Sequence, residues 1–301
     1  MRVWDVETGL EVARLEGHGD EVNSCAWSPD GTKLASASCD RTVRVWNANT
    51  WSEVAKLEGH SGVVYACAWS PDGTKLAIDS CDQTVRVWEV NTQLQMATLE
   101  GHTNGVLWCA WSPDSTKLAS TSYDHTVRVW DVSTWLEVTT REGHTGGVVS
   151  CAWSPDGIQI ASASCDQTVR LWEANTWLEV ATLKGHVGDV NWCAWSPDGT
   201  RLASASDDWT VRVWLAPAMA PVLTEGRANS LNAPDSSLEV FVAQAKRLAE
   251  SVAEASAREL TAANTRAEAS DTRARRLEGD PEALQGCSLE ELRQVRRSRL
   301  T

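Results

Sequence analysis

Short runs in which apolar and polar residues alternate recur along most of the chain. Residues 42–46, Thr-Val-Arg-Val-Trp, are a clear example, and such alternation is typical of a half-buried β-strand. Residues 21–27 and 33–38 are two further β-prone runs, and the segment Ser28-Pro29-Asp30-Gly31 between them suits a tight hairpin turn. Residues 53–57 form a fourth run. The pattern therefore predicts a four-stranded antiparallel meander.

This unit recurs along the chain at a constant spacing. A Gly-His pair begins at positions 17, 59, 101, 143 and 185, and the same step relates Cys25, Asp40 and Trp46 to their four later copies. A small isolated sheet cannot bury both faces, so the copies must stack, and radial stacking leaves only short edges. We predict five full copies preceded by a half repeat, in which residues 2–6 and 11–15 supply a third and a fourth strand.

Each copy begins with Gly-His, as at Gly17-His18, and later carries Trp followed by an Asp-like residue, as at Trp46-Asn47. This order and its constant repeat length resemble the WD40 family of β-propellers over residues 1–226. The dipeptide is literally Trp-Asp at Trp4-Asp5 and Trp130-Asp131 and varies elsewhere. The resemblance implies an all-β propeller of four-stranded antiparallel blades, and a hydrogen-bonded network in each blade. By position, its members are His18, Ser36, Asp40 and Trp46; His60, Asp82 and Trp88; His102, Ser120, Asp124 and Trp130; His144, Ser162, Asp166 and Trp172; and His186, Ser204, Asp208 and Trp214.

The second copy departs from this pattern. Ile78 stands where the other copies have the network Ser, and Asp79 follows it. A buried carboxylate, imidazole and indole need hydrogen-bonding partners, and this copy lacks one of them. We expect the second blade to be the weakest.

The same residue types also allow catalytic and metal-binding interpretations. Ser, His and Asp are the components of a hydrolytic triad, but five identical copies without a nucleophile elbow argue for a structural role. The cysteines of the Cys25 series lack the paired Cys-X-X-Cys spacing of zinc sites and are expected to be buried, whereas Cys39, Cys81 and Cys165 are expected to be more accessible. We predict no catalytic residue, metal or cofactor, and hence no enzyme.

The copies differ mainly in two stretches, the loop after Gly-His with the start of the first strand, and the residues flanking the turn Asp. Both fall at one end of the predicted meander, and the resemblance implies that this is the top face on which WD40 propellers bind partners. Exposed loops also collect neutral changes, so the argument depends on residue types that favour interfaces. The predicted protein-binding residues are Glu21, Asn23, Val63, Tyr65, Leu107, Trp108, Tyr123, Val149, Asp189, Asn191, Trp192, Asp207 and Trp209.

Charge and composition restrict the partners. The net charge is −14, and it belongs to residues 1–226, because residues 227–301 carry twelve basic and twelve acidic side chains. This balance argues against nucleic acid and anionic membranes and favours protein or peptide partners of basic character. No apolar run reaches the length of a membrane span, about 18 residues. Nine cysteines without a secretion signal predict a cytoplasmic protein, with the nucleus as an alternative.

The ends of the chain leave several interpretations open. Residues 227–301 are predicted to form a helical tail, because Leu238, Phe241, Val242 and Ala245 begin an apolar stripe; the stripe fits a short coiled coil or a single amphipathic helix. Residues 11–15 have the sequence to complete the last blade, which would leave residues 2–6 surplus. We favour an incomplete propeller whose open edge, or whose tail, mediates self-association. A fragment of a longer WD40 protein is the alternative.

On these grounds the sequence favours a protein-interaction scaffold or adaptor. The alternative is a substrate receptor or regulatory subunit of a larger enzyme complex such as a ubiquitin ligase. The Trp-Asp-X-Arg box of many such receptors is missing, because Asp5 is followed by Val6-Glu7 and Asp131 by Val132-Ser133.

Overall fold

The structure is a computed structural model that describes residues 1–216, which form twenty-one strands in six antiparallel sheets. Residues 217–301, including the predicted helical tail, lie outside the described residues. No helix long and apolar enough to cross a membrane occurs within residues 1–216.

Each sheet is a meander of strands that follow one another in the sequence. The chain begins with a hairpin of β1 (Arg2–Trp4) and β2 (Glu11–Arg14). Blade 1 contains β3 (Val22–Trp27), β4 (Lys33–Ser38), β5 (Val43–Asn47) and β6 (Glu53–Leu57). Blade 2 contains β7 (Val64–Trp69), β8 (Lys75–Ser80), β9 (Val85–Glu89) and β10 (Leu94–Leu99). Blade 3 contains β11 (Val106–Trp111), β12 (Lys117–Ser122), β13 (Val127–Asp131) and β14 (Glu137–Arg141). Blade 4 contains β15 (Val148–Trp153), β16 (Gln159–Ser164), β17 (Thr168–Glu173) and β18 (Glu179–Lys184). Blade 5 contains β19 (Val190–Trp195), β20 (Arg201–Ser206) and β21 (Val211–Leu215).

The predicted four-stranded meander is confirmed in four of the five copies. Within residues 1–216 the fifth copy has three strands, and the place of a fourth strand lies outside the described residues. Residues 11–15 do not complete it. Instead, β2 pairs with β1, with Val3 opposite Ala13 and Trp4 opposite Glu11.

Every blade contains the same irregularity near the start of its first strand. The antiparallel pairing of the first and second strands shifts by one residue, for example between Val22 and Ser24 in blade 1. A β-bulge of this kind inserts an unpaired residue and changes the direction of its side chain. The five residues at these bulges are Asn23, Tyr65, Leu107, Val149 and Asn191.

Apolar side chains bury the faces between consecutive blades. In the first of these interfaces, Val43 and Val45 of blade 1 pack in one cluster with Val64, Leu76 and Ile78 of blade 2. Burying one such side chain contributes roughly 1.5–3 kcal/mol. None of the five clusters among the described residues joins blade 5 to blade 1.

A hydrogen bond reinforces each interface between blades. The indole Nε1 of the last Trp on a first strand donates to the carbonyl oxygen of an Ala on the first strand of the preceding blade. The bonds are Trp69 to Ala26 at 3.0 Å, Trp111 to Ala68 at 2.9 Å, Trp153 to Ala110 at 3.1 Å and Trp195 to Ala152 at 3.2 Å. Consecutive blades are therefore held in one repeating relation.

Candidate functional site

A four-residue network crosses blade 1 beneath the Gly-His loop. His18 Nδ1 lies 2.8 Å from Asp40 Oδ2, and His18 Nε2 lies 2.8 Å from Ser36 Oγ. The same Ser36 Oγ accepts a hydrogen bond from Trp46 Nε1 at 2.9 Å. The structure therefore joins the Gly-His loop, the second strand, the following turn and the third strand.

Asp40 is the centre of this network. Besides its contact with His18, its carboxylate accepts hydrogen bonds from the Gly19 N–H at 2.9 Å, the Thr42 N–H at 3.0 Å and the Thr42 hydroxyl at 2.6 Å. Burial by itself raises the pKa of Asp40, but these hydrogen bonds outweigh it and hold the pKa below its usual range. Asp40 therefore stays ionised at neutral pH and holds the loop and the turn together.

Blades 3, 4 and 5 contain the same arrangement, with each His between the turn Asp and the strand Ser and each Trp indole on that Ser. The residues are His102, Ser120, Asp124 and Trp130; His144, Ser162, Asp166 and Trp172; and His186, Ser204, Asp208 and Trp214. These three serines and Ser36 of blade 1 are at most 1% exposed. A buried hydroxyl that already accepts an indole N–H is suited to holding strands together.

Blade 2 keeps only half of the network. His60 Nδ1 contacts Asp82 Oδ2 at 2.8 Å. Ile78 is 1% exposed at the position of the missing Ser, and the buried His60 Nε2 has no hydrogen-bond partner among the described residues. An unsatisfied buried polar atom costs about 1–3 kcal/mol. This supports the expectation that blade 2 is weaker than the others.

Asp79 adds a second defect to blade 2. It is fully buried, its Oδ1 accepts the Ala66 N–H at 2.9 Å, and the neighbouring Cys109 thiol is a weak donor to the carboxyl. Burial raises the pKa of Asp79 to about 7. Blades 1, 4 and 5 carry Ala at this position, so the buried carboxyl is peculiar to this blade.

The two stretches in which the copies differ are adjacent in every blade. A backbone hydrogen bond of 2.8–3.1 Å joins the residue before the turn Asp to the loop that precedes the first strand. In blade 1 the Cys39 N–H donates to the Glu21 carbonyl, and in blade 5 the Asp207 N–H donates to the Asp189 carbonyl. We call the surface formed by these two stretches in the five blades the variable end.

Two backbone devices direct side chains at the variable end. One is the bulge in the first strand of each blade. Tyr65, Leu107 and Val149 are three of the five residues at these bulges. The other is a left-handed residue directly after the turn Asp, with φ between 66° and 72°, at Arg41, Gln83, His125, Gln167 and Trp209. Bulges and left-handed residues both occur often at functional sites.

Blade 5 presents the most exposed aromatic side chain of this surface. Trp209 is 93% exposed. Asp207 is exposed two residues before it and accepts a hydrogen bond from Asn191 Nδ2. The Asp207 N–H donates to the Asp189 carbonyl at 2.9 Å, so the two acidic residues are neighbours. Burial and the neighbouring Asp189 raise the pKa of the Cys165 thiol of blade 4 to about 12, and Asp207 acts in the same direction.

Tyrosines of blades 2 and 3 lie along the same end. Tyr123 is 47% exposed, and Tyr65 is half-buried beside Gly105. A Cβ on Gly147 would approach the Tyr123 ring to 2.7 Å, so glycine at this position leaves room for the ring. Glu21 and Asn23 are exposed, and Val63, Leu107 and Val149 are half-buried.

Trp108 and Trp192 have a different environment. They occupy equivalent positions in blades 3 and 5, yet their rings meet edge-to-face with centroids 4.3 Å apart. The equivalent residue of the intervening blade is the small Ser150. Each of the two tryptophans therefore already has an aromatic partner, whereas Trp209 extends into solvent.

Sequence reasoning missed the bulges and the tryptophan pair. The bulge changes the pairing without changing the alternation of residue types. The pair depends on two blades that are separated by a complete repeat in the sequence. The described residues contain no group of three or more His, Cys, Asp or Glu side chains placed to hold a metal ion.

Consecutive antiparallel meanders, four-stranded in blades 1 to 4, with a buried His-Asp-Ser-Trp network define an all-β repeat protein. The WD40 family profile, described as WD domain, G-beta repeat, matches residues 9–47, 51–89, 93–131, 135–173 and 177–214. These matches cover more than half of the chain, and the chain therefore belongs to the WD40 repeat family.

Individual relatives match over little more than one repeat. A 44-residue segment is 50% identical to Coronin-7 of Rattus norvegicus and covers 15% of this chain and 5% of that protein. The serine-threonine kinase receptor-associated protein of Dictyostelium discoideum is 46% identical over 44 residues, 15% of each chain. The guanine nucleotide-binding protein subunit beta-5b of Danio rerio is 48% identical over 44 residues, 15% of this chain and 11% of that protein.

The chain thus spans a small part of the length of these relatives. Together with the repeats, they support a protein-interaction scaffold in general terms.

Proposed function

We propose that the variable end binds a peptide segment of a cytoplasmic partner protein and that the chain acts as a non-enzymatic scaffold. The observation that carries this proposal is Trp209, a large aromatic side chain that is 93% exposed on a left-handed backbone. Exposing a tryptophan to water is unfavourable, and tryptophans are enriched at interface hot spots.

The charges beside Trp209 favour a basic partner. Asp207 lies two residues before Trp209 and donates its N–H to the carbonyl of Asp189, and exposed Glu21 adds a carboxylate at the variable end of blade 1. A lysine or arginine next to an apolar residue would pair its charge with these carboxylates while its neighbour covers the indole. Such complementarity favours specificity and fast association.

A peptide library provides a direct test. The purified chain is expected to select peptides rich in Lys or Arg. Changing Tyr65, Tyr123 and Trp209 together to Ala is expected to weaken binding of the selected peptides about thirtyfold or more, because the loss of even one hot-spot residue costs about 2 kcal/mol or more. Titration calorimetry with one selected peptide measures the change.

Two further variants separate the contributions. Asp189→Asn with Asp207→Asn keeps the shapes and should abolish the preference for basic peptides. Leu94, Leu136 and Leu178 are exposed at the opposite end of their blades, at the start of or just before the fourth strand, so their combined change to Ala should leave binding unaltered. Unchanged affinity in the aromatic triple variant would refute the proposed site.

A further inference from the structure

The faces by which blades pack on one another are open at both ends of the described stack. We call the side of a blade that contacts the preceding blade its front face, and the side that contacts the following blade its back face. Trp27 on the front face of blade 1 is 49% exposed, whereas the equivalent Trp69, Trp111, Trp153 and Trp195 are 7–9% exposed.

The back face of blade 5 is open in the same way. Val213 is 44% exposed, whereas its equivalents Val45, Val87, Val129 and Leu171 are at most 1% exposed. The two open faces are made of the residues that pack together four times inside the molecule. The front face of blade 1 and the back face of blade 5 are therefore expected to be complementary in shape and in hydrogen bonding, as the same faces are inside the molecule.

We propose that the back face of blade 5 in one copy of the chain docks on the front face of blade 1 in a second copy. By analogy with the four internal interfaces, Trp27 Nε1 of the second copy would donate to the Ala194 carbonyl of the first. Cys25 is exposed, contrary to the expectation for its series, and in the contact it would become buried like Cys67, Cys109, Cys151 and Cys193.

The hairpin β1–β2 already covers the outer part of this front face, because Val3 and Ala13 pack with Leu34 and Trp46 of blade 1. Docking a third strand from blade 5 requires the place that β1 occupies. The contact therefore includes a strand exchange, in which β21 of one copy displaces β1 of the other and pairs with its β2.

The sequence favours this exchange. Arg212-Val213-Trp214 of β21 repeats Arg2-Val3-Trp4 of β1. In blade 1 the register places Arg44 opposite Lys56, Val45 opposite Ala55 and Trp46 opposite Glu53. The hairpin uses the equivalent register, with Arg2 opposite Arg14, Val3 opposite Ala13 and Trp4 opposite Glu11.

The exchange also completes a blade. Strand β21 would meet the same residues of β2 over a longer run, since β1 has three residues and β21 has five. Arg212 would replace Arg2 beside Glu11, the equivalent of the Arg44–Glu53 pair of blade 1. Blade 5 would gain the fourth strand that it lacks within residues 1–216.

Light scattering coupled to size-exclusion chromatography tests the contact. The wild-type chain is expected to increase in mean mass with concentration. The contact joins unlike faces, so damage to either face is enough to disrupt it. Trp27→Arg and Val213→Arg should each weaken association about a hundredfold or more. Leu136→Arg, at an exposed leucine of blade 3, which is not a terminal blade, is the control and should associate like wild type.

Mixing the two variants provides the decisive result. Trp27→Arg retains an intact β21 and back face, and Val213→Arg retains an intact β2 and front face. An equimolar mixture should form a one-to-one dimer that grows no further. Monomers alone in the mixture, or self-association that survives Trp27→Arg, would overturn the proposal. Circular dichroism checks that both variants fold.

Two further measurements test the exchange itself. Cys25 should react with a maleimide in the dilute chain and be protected in the concentrated one, while exposed Cys81 reacts in both. Deleting residues 2–4 removes the competing strand and should tighten association about tenfold or more, because an intramolecular competitor acts at high effective concentration. Weaker association after this deletion would contradict displacement of β1.

Discussion

Changing Asp79 to Ala is expected to raise the free energy of unfolding by about 3 kcal/mol at pH 8 and to have little effect, or a small destabilising one, at pH 4. Burial raises the pKa of Asp79 to about 7 from the ordinary value of 3.8. That difference corresponds to roughly 4 kcal/mol. Losing the hydrogen bond that Asp79 Oδ1 accepts from the Ala66 N–H offsets about 1 kcal/mol of it.

The direction of the pH dependence follows from proton binding. Between pH 3.8 and 7 the folded chain holds the Asp79 proton more often than the unfolded chain does. Stability contributed by this group is therefore fully present below pH 3.8, declines as the pH rises, and reaches its minimum above 7. The nearby Cys67 and Cys109 thiols do not compensate, because burial raises their pKa values and keeps them neutral.

Urea unfolding at pH 4, 6 and 8 measures this effect. Glu7→Ala, at an exposed position of the hairpin turn, serves as a carboxylate-removal control and should not alter the pH profile. A wild-type stability that stays level from pH 4 to 8, together with destabilisation by Asp79→Ala at every pH, would show that the carboxyl is not the source of weakness in blade 2.

Changing Asp124 to Ala is expected to cost about 3–5 kcal/mol of stability at pH 7, because it leaves four donors of blade 3 without their acceptor. These are His102 Nδ1 at 2.8 Å, the Thr103 N–H at 3.0 Å, the Thr126 N–H at 3.0 Å and the Thr126 hydroxyl at 2.7 Å. Burial raises the pKa of Asp124, but the hydrogen bonds from His102 and Thr126 outweigh it and lower the pKa.

The sign of this second pH effect is opposite to that of Asp79. The stability that the Asp124 carboxylate contributes is present above its unfolded value of 3.8 and is lost as the pH falls through the lower folded value. The difference between wild type and Asp124→Ala should therefore shrink below pH 4. Urea unfolding measures the free energy of unfolding of each protein, and hydrogen exchange of β11 to β13 shows whether the loss of stability lies in blade 3.

Blade 2 offers a matched comparison. Asp82 accepts hydrogen bonds from the same four kinds of donor, but His60 Nε2 is already unsatisfied and the serine link to Trp88 is absent. Networks are worth more than their separate bonds. Asp82→Ala should therefore cost about half as much as Asp124→Ala. Equal costs in the two blades would show that the Ser-Trp half adds nothing to the Asp-His half.

Much of the fold was predictable because the information is local and repeated. Alternation over residues such as 42–46 gives a strand wherever it occurs, and Ser28-Pro29-Asp30-Gly31 closes a turn with its own hydrogen bonds, including Ser28 Oγ to Asp30 at 2.6 Å. The departure of blade 2 was also visible, since Ile78 has no hydroxyl. The burial of Asp79 next to the cysteines of blades 2 and 3 was not predictable from the sequence, because it depends on how these two blades pack.

The parts that failed are those in which two segments compete for one place. Strands β1 and β21 carry the same Arg-Val-Trp sequence, so local preference does not decide which of them pairs with β2. Their separation along the chain decides it, because β1 is a hairpin neighbour with a short loop to close. At the candidate site, residue types indicated the variable end, but the meeting of Trp108 and Trp192 and the isolation of Trp209 depend on the stacking angle of the blades.

The indole-to-carbonyl bonds between consecutive blades have a consequence for how this chain can change in length. Each blade meets its neighbours through the same donor and acceptor positions, so a single whole repeat that is inserted or removed between two Gly-His pairs recreates every interface it interrupts. Gain and loss of whole blades then keep these bonds in place, whereas an insertion within a strand shifts its residues out of register with both neighbours. The number of repeats can for this reason change by recombination with less disruption than the length of the strands within each repeat.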